Sequence, residues 1–344
     1  MLAPGHGSVS AIVINYESGG TLAELLESLV DQPDLLETIV VDNGSTDGSV
    51  ASTRRRFPGL IVVDPPRNLG FAAGANAGAR IARGELLLFL NPDVRVAPLA
   101  VAALASAFGS SDVGVAGPRI ELDHLGEVEF GSTIDPLGYP VSLSVPSRPL
   151  YISGCALMTT REAFETLSGF DERYFMFAED VDYCWRAFLR GWDVQVVPDA
   201  AVAHYGGASA PGGYPTESGL STTEFRVVLR ERNTLAALLK CYRLPMLAAV
   251  VPSYLLQSFA TAAALAAAGR PRTAAGVVGG LWWNARELPR TLELRRAAQH
   301  ARRRNERGVL RRMHPGLQKL TLLRKFGVPR VDESRHVHVA APRS

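Results

Sequence analysis

VSAIVINYESGGTLAELLESLVDQPDLLETIVVDNGS, residues 9–45, decides the fold. Residues 9–16 form an apolar run that ends in polar side chains, the pattern of a buried strand with an accessible carboxyl end. Leu22, Leu25, Leu26, Leu29 and Val30 then recur at helical spacing, with Thr21 and Glu24 set as a capping box. Residues 38–41 return to a strand. Working outward, residues 60–63, 86–90 and 113–116 repeat the strand signal, separated by helix-length segments or turns. This alternation predicts an α/β fold with a mostly parallel sheet covered on both faces. Ligands in such sheets bind beyond the carboxyl ends of the strands.

That rule singles out Asn15, Asp42 with Asn43, and Asn91 with Asp93, three polar strand ends that point to one crevice. A dinucleotide-binding dehydrogenase would need GxGxxG directly after the first strand, and residues 15–20 read NYESGG instead. After residue 120 the pattern loosens, with many Gly and Pro between 131 and 149, and it tightens again over 153–198. There Val181, Cys184, Trp185, Phe188 and Leu189 form a helical stripe that opens near Glu179-Asp180 and stops at Gly191. Residues 206–219, GGASAPGGYPTESG, read as a flexible loop, and a mostly helical part follows.

The 344 residues, 47% hydrophobic and 20% charged, suit about two folded domains. Three widely spaced cysteines make a disulfide framework unexpected, and no basic stretch with an apolar run precedes Val9 as a secretory signal would. The net charge of +2 hides an asymmetry: residues 286–344 hold 16 basic and 5 acidic side chains, whereas the body before them is net acidic. Residues 244–269 carry no charge at all. An uncharged run followed by arginines favours an anionic membrane surface over nucleic acid as the partner of the basic tail.

VVDNGSTDGS from Val40, NLGFAAGANAG from Asn68, LNPD from Leu90, SGCALMTTREAF from Ser153 and GFDERYFMFAEDVDYCWRAFLRGW from Gly169, with His204 beyond, resemble the bacterial family 2 glycosyltransferases. Within that family they look most like the rhamnosyltransferase-type branch. The resemblance runs collinearly over about residues 9–240. It implies a GT-A fold, a nucleotide-diphosphate sugar donor, a divalent metal (Mg²⁺ or Mn²⁺) and inversion at the anomeric carbon. A helical, membrane-associating extension is expected to follow, with boundaries at 1–220 for the GT-A domain, 221–330 for the extension and 331–344 for a disordered tail.

Each piece has a chemical reading and a plainer structural one. Asp42 at a strand end can accept the imide N–H of uracil or thymine, yet Asp-Asn-Gly-Ser is also a turn sequence. Gly70, Gly74 and Gly78 let a backbone approach a donor closely, or they pack a helix tightly. Asn68 and Asn76 can reach ribose or phosphate. Asp93 is the expected metal carboxylate; the family usually places D-x-D here, and Asn91 replaces the first acid. His204 resembles the family's downstream histidine as a second metal ligand, and imidazole suits Mn²⁺ better than Mg²⁺. Acids at a helix start also satisfy the macrodipole. The family's acidic pair resembles Glu179-Asp180, which assigns Asp180 as general base and Glu179 as the neighbour that orients acceptor or base.

The expected activity is transfer of L-rhamnose from dTDP-rhamnose to a lipid-linked or cell-envelope glycan acceptor. The enzyme would act peripherally at the cytoplasmic face of the membrane, with a homo-oligomer left open. A UDP-hexose or UDP-N-acetylhexosamine transferase of the same fold is the alternative, since both bases present the same imide to Asp42. An inactive scaffold of this fold is the alternative of another class.

Overall fold

A computed structural model of the chain describes residues 7–123, 125–206, 214–216 and 219–333. Most of the glycine-rich loop expected at 206–219, and all of the expected tail beyond residue 333, lie outside the described residues. The chain divides into two compact units, one of Met1–Thr133 with Ser142–Ser209, the other of Ile134–Val141 with Ala210–Ser344.

The first unit opens as β1 (Val9–Asn15), α1 (Thr21–Leu29), β2 (Leu35–Asp42), α2 (Ser49–Arg56), β3 (Ile61–Val63), α3 (Gly70–Ile81) and β4 (Leu86–Leu90). It continues through β5 (Val94–Val96), α4 (Ala100–Ser106), β6 (Val113–Leu122) and β7 (Glu127–Glu129) to the hairpin strands β8 (Ser132–Ile134) and β9 (Pro140–Ser142). Then come β10 (Ala156–Thr160), α5 (Arg161–Thr166), α6 (Glu179–Arg190) and β11 (Asp193–His204). The sheet runs β3-β2-β1-β4-β10-β6-β11-β5, with β7 paired to β6.

β1 pairs in parallel with β2 and β4, but β10 runs antiparallel to both β4 and β6. The sheet is therefore mixed rather than mostly parallel. A parallel return needs a crossover helix. The described residues between β6 and β10 contain no α-helix, so the chain re-enters the sheet running the other way.

Two local readings meet different fates. Gly191, at φ +116°, stops α6 in the left-handed conformation that a glycine adopts without penalty. The capping box at Thr21 and Glu24 does not form. Thr21 is already the first helical residue behind Gly20, and its hydroxyl donates to the Ser18 carbonyl at 2.8 Å, closing the loop that leaves β1.

The small-residue stripe packs α3 onto the sheet. A Cβ at Gly78 would stand 2.4 Å from Cγ2 of Ile12, and one at Gly74 3.2 Å from Cγ2 of Ile14. Gly78→Val is expected to cost about 1–3 kcal/mol by overpacking. Denaturant unfolding checks it, as a lowered midpoint at unchanged slope.

In the second unit β12 (Tyr214–Thr216), β13 (Gly219–Thr223) and β14 (Arg330–Asp332) form a small sheet. The helices are α7 (Glu224–Cys241), α8 (Leu244–Ala267), α9 (Pro271–Arg286), α10 (Leu288–His300), α11 (Glu306–Leu310) and α12 (Gln318–Phe326). α7 packs against α8, α9 and α10, and Ala262, Leu265, Ala274, Val277 and Val331 form a small core.

Candidate active site

Two of the three polar strand ends meet directly. Asn15 and Asp42 are register partners at the ends of β1 and β2, and Asn15 Nδ2 donates to Asp42 Oδ1 at 3.2 Å. The same amide reaches Ser45 Oγ at 3.1 Å and Ser49 Oγ at 3.2 Å. Asp42 Oδ1 also accepts the Ser45 backbone N–H at 3.2 Å, so the turn reading of this sequence is realised. Glu17 and Asp47 stitch the two loops from opposite sides, accepting the backbone N–H of Thr46 at 2.8 Å and of Gly19 at 2.7 Å. The result is a fixed rim above β1 and β2.

The start of α3 forms the next wall. Asn43 ties it to β2, its Nδ2 donating to the Gly70 carbonyl at 3.1 Å and its Oδ1 accepting from Leu69 N–H at 3.3 Å. Asn68 Oδ1 accepts the Gly70 N–H at 2.8 Å. Gly70 has φ +76°, and a Cβ there would lie 2.4 Å from the Phe175 carbonyl oxygen. That carbonyl accepts Ala72 N–H at 3.2 Å, so the helix start is clamped to the segment that leads into α6. Asn76 lies deeper along α3, away from the strand ends. Its amide donates to the Phe170 carbonyl at 2.9 Å and Glu172 Oε1 at 3.0 Å and accepts from Phe170 N–H at 3.0 Å, a brace across 94 residues of chain.

The segment before α6 is strained. Phe175, Phe177 and Ala178 hold φ of +63°, +69° and +65°, conformations that cost non-glycine residues about 1–3 kcal/mol each. Just beyond them in α6 lies the buried pair Asp182–Arg186. Arg186 Nε donates to Asp182 Oδ2 at 2.7 Å, while the rest of the guanidinium donates to the carbonyls of Leu167 and Gly169. The strain delivers Glu179 and Asp180 at the start of α6. Glu179 is buried and Asp180 is more accessible. Asp180 Oδ2 accepts Gly154 N–H at 3.0 Å and its Oδ1 accepts Val181 N–H at 2.7 Å, which fixes the carboxylate plane.

From Asp180 the contacts lead back to the strand ends. Cys155, next to Gly154, accepts the Asn91 N–H at 3.0 Å. Two residues on, Asp93 Oδ1 lies 3.5 Å from His204 Nε2, in a pairing that sets His204 opposite Val94 at the end of β11. Tyr205 N–H donates to the Asp93 carbonyl at 3.1 Å and locks the two turns together. Among the described residues no group of three His, Cys, Asp or Glu side chains is arranged to hold an ion. Two protein donors nevertheless suit a cation that also binds substrate phosphates and water. Ligands at right angles on one ion stand about 3 Å apart, so the Asp93–His204 spacing needs only a small adjustment.

Sequence reasoning missed Glu129. This carboxyl accepts Ser132 Oγ at 2.5 Å on one oxygen and Ser142 Oγ at 2.8 Å on the other. In the sheet it pairs with Ile120, which pairs with Val202, so it shares a face with His204 two residues farther along β11. Burial raises its pKa above the ordinary 4.5, and the nearby Asp180 raises it further against the pull of the serines and His204. Glu129, Asp93 and Asp180 all act on the buried Cys155 thiol, whose pKa burial pushes up to about 12. The thiol therefore stays neutral.

The folded protein thus keeps on Glu129 a proton that the unfolded chain releases near pH 4.5. Stability is expected to fall as pH rises through that value. Glu129→Gln should flatten the fall, and melting temperatures measured across the pH range check it.

A family model described as "Glycosyl transferase family 2" matches residues 10–167. The chain is 30% identical to the N-acetylglucosaminyl-diphospho-decaprenol L-rhamnosyltransferase of Mycobacterium tuberculosis (strain ATCC 25618 / H37Rv), over 56% of this chain and 75% of that one. Its fold is similar to that of a mannosyltransferase from Pyrobaculum calidifontis in complex with GDP-Man and Mn²⁺, with a TM-score of 0.51 and 20% identity over 87% of this chain and 88% of that one. It is also similar to GalNAc-T7 solved with UDP, GalNAc and Mn²⁺, with a TM-score of 0.54 and 16% identity over 67% of this chain and 47% of that one. The curled mixed sheet with flanking helices is the GT-A architecture.

Proposed function

We propose that this chain, which belongs to glycosyl transferase family 2 and is a glycosyltransferase drawing on a nucleotide-sugar donor, is an inverting enzyme that moves L-rhamnose from dTDP-rhamnose to a lipid-linked or cell-envelope glycan acceptor. The observation that supports this reading is the run of contacts from the accessible carboxylate of Asp180 through Gly154, Cys155 and Asn91 toward the Asp93–His204 pair. The choice of sugar and of a prenyl-linked acceptor rests on the mycobacterial relative, named as an L-rhamnosyltransferase for a decaprenol-linked substrate.

Asp180 takes the proton of the acceptor hydroxyl as that oxygen attacks the anomeric carbon and the bond to the diphosphate oxygen breaks. The thymine imide meets Asp42 on Oδ2, since Oδ1 is committed to Asn15 and Ser45. Asn68 and the backbone at Gly70 face ribose and phosphate, and Asn91 borders the donor beside Asp93. Glu179 orients Asp180 or the acceptor.

Asp93 and His204 would hold a divalent cation, and both solved neighbours contain Mn²⁺. Such a cation, when bound, offsets the charge that builds on the leaving diphosphate. Complete chelation with EDTA is expected to stop turnover of dTDP-rhamnose, with Mn²⁺ restoring it more fully than Mg²⁺. Undiminished activity in EDTA would remove the metal from the account and leave basic side chains to neutralise the leaving group. The site of action we propose is the cytoplasmic face of the membrane, where the enzyme sits peripherally.

A further inference from the structure

Helices α8 and α9 leave large apolar side chains in the open beside the small core that they share. A surface helix of a soluble protein buries apolar side chains and shows polar ones to water. α8 has no charge along its length and buries only part of it, on the stripe Val250, Tyr254, Ser258, Ala262 and Leu265. Two of its polar groups point inward: Tyr254 OH donates to the Glu231 carbonyl at 2.6 Å and Ser258 Oγ to Glu231 Oε2 at 3.3 Å. Outward it shows Leu256, 73% exposed, and Phe259, 54% exposed. α9 likewise mixes buried polar groups with an exposed apolar one. Thr273 and Asn284 are buried, bonded to Glu333 and to the Arg232 carbonyl, whereas Trp282 is 74% exposed. Such outward faces suit hydrocarbon better than water.

At the foot of α8 lies an open cavity of about 480 Å³, lined by Arg243, Arg295, Arg296 and Gln299 with Leu244 and Leu292. No acidic side chain lines it. Arg295 is held by the carbonyls of Leu239 and Tyr242 at 2.6 and 2.5 Å, so one guanidinium is fixed in the wall. Arg243 and Arg296 are exposed and form no ion pair among the described residues. Three guanidiniums bordered by leucines match a phosphate that carries an apolar chain.

We propose that α8 and α9 lie in the plane of an anionic lipid leaflet, with one phosphodiester headgroup seated in the Arg243–Arg295–Arg296 cavity. The docking surface gives the membrane-face reading above a specific site and rests on that reading. The helix lies in the leaflet and does not cross it. At 24 residues α8 is long enough to span. Its middle, however, packs on the Glu231–Lys319 ion pair through Tyr254 and Ser258, and a crossing helix would carry that pair to the bilayer centre.

The test is flotation of the full chain with vesicles of phosphatidylcholine, with and without phosphatidylglycerol. Wild type should float best with the anionic lipid and loosen in part at high salt. Arg243→Gln with Arg296→Gln should weaken binding to anionic vesicles about 30-fold, at about 1 kcal/mol per charge, and weaken binding to neutral vesicles far less, since the choline ammonium there offsets the charge of the phosphodiester. Leu256→Ser with Trp282→Ser should weaken binding to both. Millimolar glycerol phosphate should not displace the protein; if it does, the cavity takes a free phosphate and the proposal fails. It also fails if wild type never floats, if the arginine variant floats as well as wild type, or if the serine variant changes only a monomer–dimer equilibrium. Transfer to a water-soluble acceptor should be the same in every variant, so a failure of docking is visible apart from a failure of the proposed activity.

Discussion

Asp180→Asn is expected to lower sugar transfer about 10²- to 10⁴-fold while donor affinity stays within a few-fold of wild type. The amide keeps the size of the carboxylate, and its one oxygen can keep one of the two backbone bonds, from Gly154 or from Val181, while the buried Asp182–Arg186 pair still holds the start of α6. It cannot take a proton from an attacking hydroxyl. Steady-state rates with a saturating acceptor, alongside calorimetric titration of the donor, separate the two effects. Transfer within about tenfold of wild type would move the base to another residue, and lost donor binding would make Asp180 a donor ligand.

Asp93→Ala should give the opposite division. With the carboxylate gone, His204 is left as the single protein donor of the pair, and metal-dependent donor binding should weaken by at least about tenfold with turnover falling in step. Calorimetry in Mn²⁺ and in EDTA reads this directly. Wild type should bind the donor far more tightly with the metal than without it, and Asp93→Ala should show almost no difference between the two conditions. The Tyr205 N–H bond to the residue 93 carbonyl survives the change, so the pairing of β5 with β11 should hold. A variant that keeps the full metal response would place the cation elsewhere.

The strand-end residues were legible because one rule covers them: β1, β2 and β4 are apolar runs that end at Asn15, Asp42 and, one residue beyond Leu90, at Asn91. The α6 stripe was legible for the same kind of reason, since Val181, Cys184, Trp185, Phe188 and Leu189 are all buried at helical spacing. The Asp182–Arg186 pair carried the i, i+4 signature of a helical ion pair, yet its role as a brace depends on the Leu167 and Gly169 carbonyls, which no spacing reveals.

Glu129 had no signal at all. It sits on a three-residue strand in a stretch without periodicity, and its importance comes from Ser132, Ser142 and a neighbouring strand. The antiparallel entry of β10 escaped for a related reason, because strand direction follows from the missing crossover helix and not from composition. Asn76 shows the limit for single polar residues. An asparagine at the right distance from a glycine-rich stretch can read as a ligand group, while its partners here are Phe170 and Glu172.

The central claim is a single displacement of rhamnose from dTDP at the Asp180 crevice. Proton NMR of the newly formed linkage tests it most directly, with wild-type protein, dTDP-rhamnose, Mg²⁺ and a short-chain prenyl-diphospho-N-acetylglucosamine acceptor. The account predicts a rhamnosyl product whose anomeric configuration is opposite to that of the donor. A product of retained configuration, or transfer from a UDP-sugar with dTDP-rhamnose left untouched, would contradict it.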